Sequence, residues 1–330
     1  MDYRKLPKVE LHCHLDGSLR TETVIELAKE EKIDLSGKSY EEVKELLVVP
    51  EDCPSLDIYL KRFDLPLKLM QNEKNLKRIA FELIEDASKE NVKYIEVRFA
   101  PLLHNRQGLN VKQIISAVLE GLKDGEEKFG VKSGLILSLL RHHPVESVYE
   151  VFEEGQEFLG KGVVAVDLAG AELEGFVAPY EEAFKKARDM GYRVTIHAGE
   201  TGYSSNVIDA IKLLGAERIG HAVAIKDDEV AYNLVKEKNI TLEMCPKSNL
   251  QTKAVDSYEN HPAKMFLNDG LKVNLSTDNR TVSNVDLTEE CENINSVSGL
   301  SLEEFKEIYL NSVQGAFCDE KTKEWLRKQI

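Results

Sequence analysis

Eight short apolar runs rich in β-branched residues recur along the 330-residue chain, and longer stretches of helical periodicity separate them. The runs are KVELHCH (8–14), VKYIEVRFA (92–100), SGLILSLL (133–140), GVVAVDLA (162–169), YRVTIHA (192–198), RIGHAV (218–223), NITLEMC (239–245) and LKVNLST (271–277). Between them lie amphipathic patterns such as PYEEAFKKARDMGY, VIDAIKLLG (207–215) and DDEVAYNLVKEKN, several ending in Gly or Asn as helix C-termini do. Strands alternating with helices imply right-handed βαβ units and a parallel sheet. Eight of them without a linker, repeat or low-complexity break favour a closed barrel over an open sheet. The expected fold is therefore α/β, a (β/α)8 TIM barrel forming a single domain over 1–330.

The first crossover is too long for one helix. Residues 15–91 hold helical patterns at about 21–32, 39–47, 56–70 and 72–90, so additional helices inserted after the first strand are expected to cover the barrel mouth. The tail beyond Asp278, with SLEEFKEIYLNSVQGAF and EKTKEWLRKQ, reads as closing helices.

A barrel of this kind carries its chemistry at the C-terminal ends of its strands. His12 and His14, His197, His221 and Asp278 all fall there. Side chains alternate along a strand, so His12 and His14 share a face and Cys13 takes the other. His197, four strands later, can approach the pair across the barrel. Three imidazoles and a carboxylate suit zinc with one open position, and zinc lowers the pKa of a bound water from about 15.7 to about 7. A single histidine in a strand is ordinarily structural; the combination of H-x-H with HAGE, GHA and STD at successive strand ends is what makes a metal site of it. Asp16 then turns toward whatever approaches the metal. Glu200, three residues past His197, is placed to carry a proton, or else is the N-cap or a first-turn glutamate of the next helix. His221 is placed to orient the nucleophile or to take its proton. His142 ends another strand and would stand behind the site, whereas His104, His143 and His261 read as surface or structural residues.

Composition narrows the partners. A net charge of −15 argues against a phosphate backbone or an anionic membrane. No apolar stretch approaches the roughly 18–20 residues that span a bilayer, and the N-terminus lacks a signal-peptide core. Five scattered cysteines without a C-x-x-C pair suggest reduced thiols in a cytoplasmic protein. G-x-G-x-x-G, Walker A and G-x-S-x-G patterns are all missing.

PKVELHCHLDG, YIEVRFAP, VDLAGAE, HAGE, IGHA, EMCPKSN and STDN, in this order from about residue 7 to 280, resemble the adenosine deaminase family of metal-dependent amidohydrolase barrels. The resemblance implies one zinc per chain, held by His12, His14, His197 and Asp278. It implies that Glu200 protonates purine N1, that His221 steers or deprotonates the nucleophile attacking C6, and that ammonia leaves to give inosine. The Gly170 N–H would donate to N3, and Asp16, with His14 nearby, would bind a ribose hydroxyl. Leu56, Tyr59, Leu60 and Phe63 would form an apolar gate, although their helical spacing also fits packing into the core. Many relatives have two aspartates where this chain has Asp278 and Asn279; an asparagine amide can still donate to N7. The expected substrate is a free adenosine or 2′-deoxyadenosine in purine salvage or catabolism, with no nucleic acid, membrane or protein partner implied. Adenine deamination on the same scaffold is the enzymatic alternative, disfavoured by Asp16 in HLDG; a non-catalytic metal-binding barrel is the other.

Overall fold

A computed structural model describes residues 1–35, 37–51, 53 and 56–330, with the backbone alone at 56 and 57. Eight strands form one parallel sheet in chain order: β1 (Lys8–His14), β2 (Val92–Phe99), β3 (Lys132–Leu140), β4 (Val163–Ala169), β5 (Arg193–Ala198), β6 (Arg218–His221), β7 (Thr241–Met244) and β8 (Lys272–Leu275). The sheet curls into a nearly closed barrel, and Asp278 bridges the seam. Its carbonyl accepts the His14 N–H (2.7 Å) and its own N–H donates to the His12 carbonyl (3.0 Å). Register therefore ties the expected metal-site residues of the first and last strands to the closure itself.

Alternation in the strands separates two environments. On β2, Ile95, Val97 and Phe99 face outward into the apolar layer shared with the helices Glu73–Lys89 and Val111–Phe129. Glu96 and Arg98 are fully buried and join a polar barrel interior instead. There Arg218 pairs with Glu96 (2.6 Å) and Glu243 (2.7 Å), while Arg98 pairs with Glu243 (2.8 Å) and Asp167 (3.3 Å). Barrel interiors are usually filled with branched apolar residues; this one holds charge. Such pairs gain little net stability over apolar packing, but removing one partner strands a buried charge. Arg218→Met should accordingly cost about 3–5 kcal/mol in urea unfolding. A variant that unfolds together with the parent would show that the barrel floor does not depend on this cation.

Of the helices expected between β1 and β2, the segment Leu56–Leu69 reaches the barrel mouth, broken by a 3₁₀ turn at Lys61–Phe63. The helix Glu73–Lys89 is the ordinary crossover packed outside β2, so the pattern at 72–90 is no mouth cover. The pattern at 207–215 also differs from a plain helix: Ser204–Asp209 is α-helical and Ala210–Leu214 is a π turn, ended by Gly215 at φ +70°. A π turn takes up an extra residue, and Val207, Ala210 and Leu214 remain buried on one side. The closing helices are Leu302–Gly315 and Glu320–Arg327, the first started by a Ser301–Glu304 capping box. Among the described residues no helix is long and apolar enough to cross a membrane.

Candidate metal centre and active site

Four side chains expected at the strand ends converge. Asp278 Oδ1 lies 3.2 Å from His12 Nε2 and 3.3 Å from His14 Nε2, and His14 Nε2 lies 3.2 Å from His197 Nε2. Tetrahedral zinc with bonds of about 2.0–2.1 Å has donor–donor edges of about 3.3 Å, so these spacings fit a single ion. Moreover, His12 is fully buried and its Nε2 has no hydrogen-bond partner. An orphaned buried nitrogen facing a carboxylate and two further imidazoles has the chemistry of a metal ligand. The donor atoms of His12, His197, His221 and Asp278 all lie within 4.8 Å of one another, so His221 shares this cluster, whereas His14 joins it through Asp278 and His197. The His221 ring is 5.1 Å from that of His12 and 5.2 Å from that of His197.

Carboxylates hold the imidazoles from behind. His12 Nδ1 donates to Glu243 Oε2 (2.8 Å) and His197 Nδ1 donates to Asp167 Oδ1 (2.9 Å). Each bond leaves the Nε2 lone pair for the metal and fixes the ring plane. Asp278 is oriented by the Ser248 hydroxyl, 2.5 Å from Oδ2. Despite its burial, the neighbouring imidazoles hold the Asp278 carboxyl well below the usual carboxylate range. Gly220 makes room for His12: a Cβ there would come within 2.9 Å of the ring.

Backbone strain gathers at the same place. His221 (φ +69°), Ala222 (+53°) and Asp278 (+61°) adopt the left-handed conformation without being glycine, at a cost of about 1 kcal/mol or more each. This turn at the ends of β6 and β8 is what aims His221 and Asp278 inward.

Glu200 is not in the first turn of a helix; the next one begins at Ser204. Its carboxylate accepts the Thr252 hydroxyl (2.8 Å) and lies 3.8 Å from His221 Nε2. Glu172 sets the loop that carries it, accepting the consecutive N–H groups of Gly199, Glu200 and Thr201 at 2.7, 2.9 and 2.9 Å. Arg141 donates to the carbonyls of Gly170 and His197, tying the ends of β4 and β5 together.

These groups open onto a cavity of about 580 Å³, within the range of small-ligand sites. His14, Asp16, Tyr59, Leu60, Phe63, Gly170, His197, Glu200, His221, Asp278 and Asn279 all line it. Burial pushes the Asp16 carboxyl up to about 7, and its Oδ1, 4.0 Å from His14 Nδ1, has no hydrogen-bond partner. Gly170 sits at φ +96°, which turns the chain sharply at the end of β4. The side chain of Leu56 lies outside the described residues. Leu60, 42% exposed, and Leu173, 70% exposed, both line the cavity. Tyr59 is more than an apolar wall: it packs with Val49 and Val282, and its hydroxyl lies 3.2 Å from Ser283 Oγ and accepts the Asn279 amide (2.9 Å). The Asn279 amide is thus already partly engaged, with Oδ1 buried and unpartnered.

His142 lines the cavity, stacked edge-on against His143. His104 is buried and bonds the Met70 carbonyl, whereas His261 contacts Asn249 behind His221. Sequence reasoning passed over Asp167, Glu243, Glu172, Arg141 and Asn249. The signal for the first two was a lone acidic residue in mid-strand.

The adenosine deaminase family profile matches residues 7–330. An adenosine deaminase of Clostridium perfringens (strain 13 / Type A) is 62% identical over 330 residues, covering 100% of this chain and 99% of the relative. Among solved structures, an adenine deaminase from Arthrobacter aurescens superposes with a TM-score of 0.90 at 26% identity, covering 98% of both chains. An amidohydrolase from Burkhoderia ambifaria with bound Zn superposes at 0.88 and 27% identity, covering 99% of this chain and 90% of that one. With its eight-stranded barrel, its convergent histidines and a full-length match, the chain belongs to the adenosine deaminase family.

Proposed function

We propose that this protein is a zinc-dependent adenosine deaminase that converts adenosine, and 2′-deoxyadenosine, to the inosine product and ammonia. The observation that carries the reading is the gathering of His12, His14, His197 and Asp278 at the strand ends, with Glu200 3.8 Å from His221 on the wall of a cavity of about 580 Å³. The full-length likeness to adenosine deaminases supports the substrate.

His12, His14, His197 and Asp278 would hold one zinc, which when bound supplies a Lewis acid that makes water nucleophilic near neutral pH. Glu200 gives its proton to purine N1, drawing electrons from C6 so that water adds there. His221 keeps the nucleophile on the C6 side. Loss of ammonia from the sp³ C6 restores the aromatic product. Asp16 receives a ribose hydroxyl, the Gly170 N–H meets N3, and Asn279 faces N7. Tyr59, Leu60 and Phe63 close the apolar side against water.

The discriminating assay follows ultraviolet absorbance during turnover of adenosine and of adenine by the purified protein. Adenosine should be used far faster, because adenine leaves Asp16 buried without a ribose hydroxyl to pair with. Equal or faster turnover of adenine would overturn the substrate assignment in favour of a free-base deaminase.

A further inference from the structure

His221 can act on the nucleophile in two opposite ways. As a donor it needs a hydrogen on Nε2; as a base it needs a lone pair there. The neighbours on Nδ1 decide between them. Asn249 Nδ2 lies 3.0 Å from His221 Nδ1, and Asn249 Oδ1 lies 3.2 Å from His261 Nε2. At the far end, the backbone N–H of Ala263 points at His261 Nδ1 (3.3 Å).

A backbone amide is always a donor, so the chain has one consistent polarity. His261 Nδ1 accepts from Ala263 and its hydrogen resides on Nε2, which donates to Asn249 Oδ1. The amide therefore turns its NH2 toward His221, whose Nδ1 accepts; reversing the amide would set N–H against N–H at His261. His221 is left with its hydrogen on Nε2, the nitrogen that faces Glu200. All three side chains are buried, which leaves little room for water to break the sequence. Burial also depresses the His261 imidazole to about 3, keeping it neutral.

The contrast with the metal ligands is direct. Behind His12 and His197 stand carboxylates, Glu243 and Asp167, which accept from Nδ1 and leave Nε2 bare. Behind His221 stands an amide donor, which does the reverse. We propose that Asn249 and His261 are positioning residues that lock His221 as its Nε2–H tautomer, so that it meets the nucleophile as a hydrogen-bond donor and stays outside the metal's ligand set. The inference rests on the adenosine-deaminating reading of this site.

The test uses the zinc-loaded chain carrying ¹⁵N-labelled histidine, with the His221 ring assigned by its disappearance in His221→Gln. The parent should show a neutral His221 with Nε2 protonated and Nδ1 bare. Asn249→Asp, nearly isosteric, replaces the donor by an acceptor and should move the hydrogen to Nδ1. It should lower kcat roughly tenfold, with KM and zinc content little changed. His261→Phe should lower kcat in the same direction, and His261→Gln, which keeps an amide donor, should recover most of it. An Nδ1–H tautomer in the parent, a tautomer unmoved by Asn249→Asp, or equal losses in the Phe and Gln variants would each overturn the relay. Because the spectrum needs no turnover, failure of the relay with intact adenosine turnover leaves the functional reading standing; a parent inactive on adenosine removes that reading instead.

Discussion

Glu200→Gln should keep its zinc and lose a factor of about 10² or more in kcat, the usual loss when a general acid–base group is removed. The substitution is close to isosteric and spares the local geometry. A glutamine oxygen still accepts the Thr252 hydroxyl, and Glu172 holds the 199–201 backbone whatever side chain residue 200 carries. What disappears is the exchangeable proton. Without it N1 stays neutral, C6 stays electron-rich, and addition of water becomes the obstacle. KM should change little, because the bound ground state makes little demand on that proton. Steady-state kinetics on protein of measured metal content checks this. Near-parental turnover would remove Glu200 from the chemistry and revive the possibility of a barrel whose metal serves only structure.

Chelation should abolish turnover altogether, and stoichiometric zinc should restore it. Chelation takes from His12, His14, His197 and Asp278 the one ion their donor atoms would share. The consequence extends past catalysis. Asp278 bridges the seam between the first and last strands through its own backbone, so an ion that fastens its carboxylate to His12 and His14 also fastens the barrel shut. A ligand that binds only the folded state stabilises it by about 2.7 kcal/mol at a hundredfold excess over Kd, and tight zinc should exceed that. The metal-free protein should therefore melt at a clearly lower temperature, with the melt recovering as zinc is returned. Unchanged activity in protein shown to be metal-free would sink the site; unchanged melting alone would detach it from the seam.

The placement of His12, His14, His197 and Asp278 at one end of the barrel was legible in sequence because the period of a strand is two and because barrel chemistry collects at strand ends. Glu200 and His221 followed from the same placement. Asp167 and Glu243 were not legible, since a carboxylate in mid-strand says nothing of its partner until the barrel brings β4 beside β5 and sets β7 against β1. Tyr59 lies between the two cases: its helical spacing showed an apolar face, and only the fold supplied Ser283 and Asn279 to its hydroxyl.

Taken by itself, the order of residues determined that eight strands alternate with helices and which side chains stand at their ends, because both are properties of local periodicity. Tertiary structure alone decided which nitrogen of each histidine is free. That choice depends on a carboxylate or an amide delivered from strands and helices tens or hundreds of residues away, as Glu243 is to His12 and Asn249 to His221.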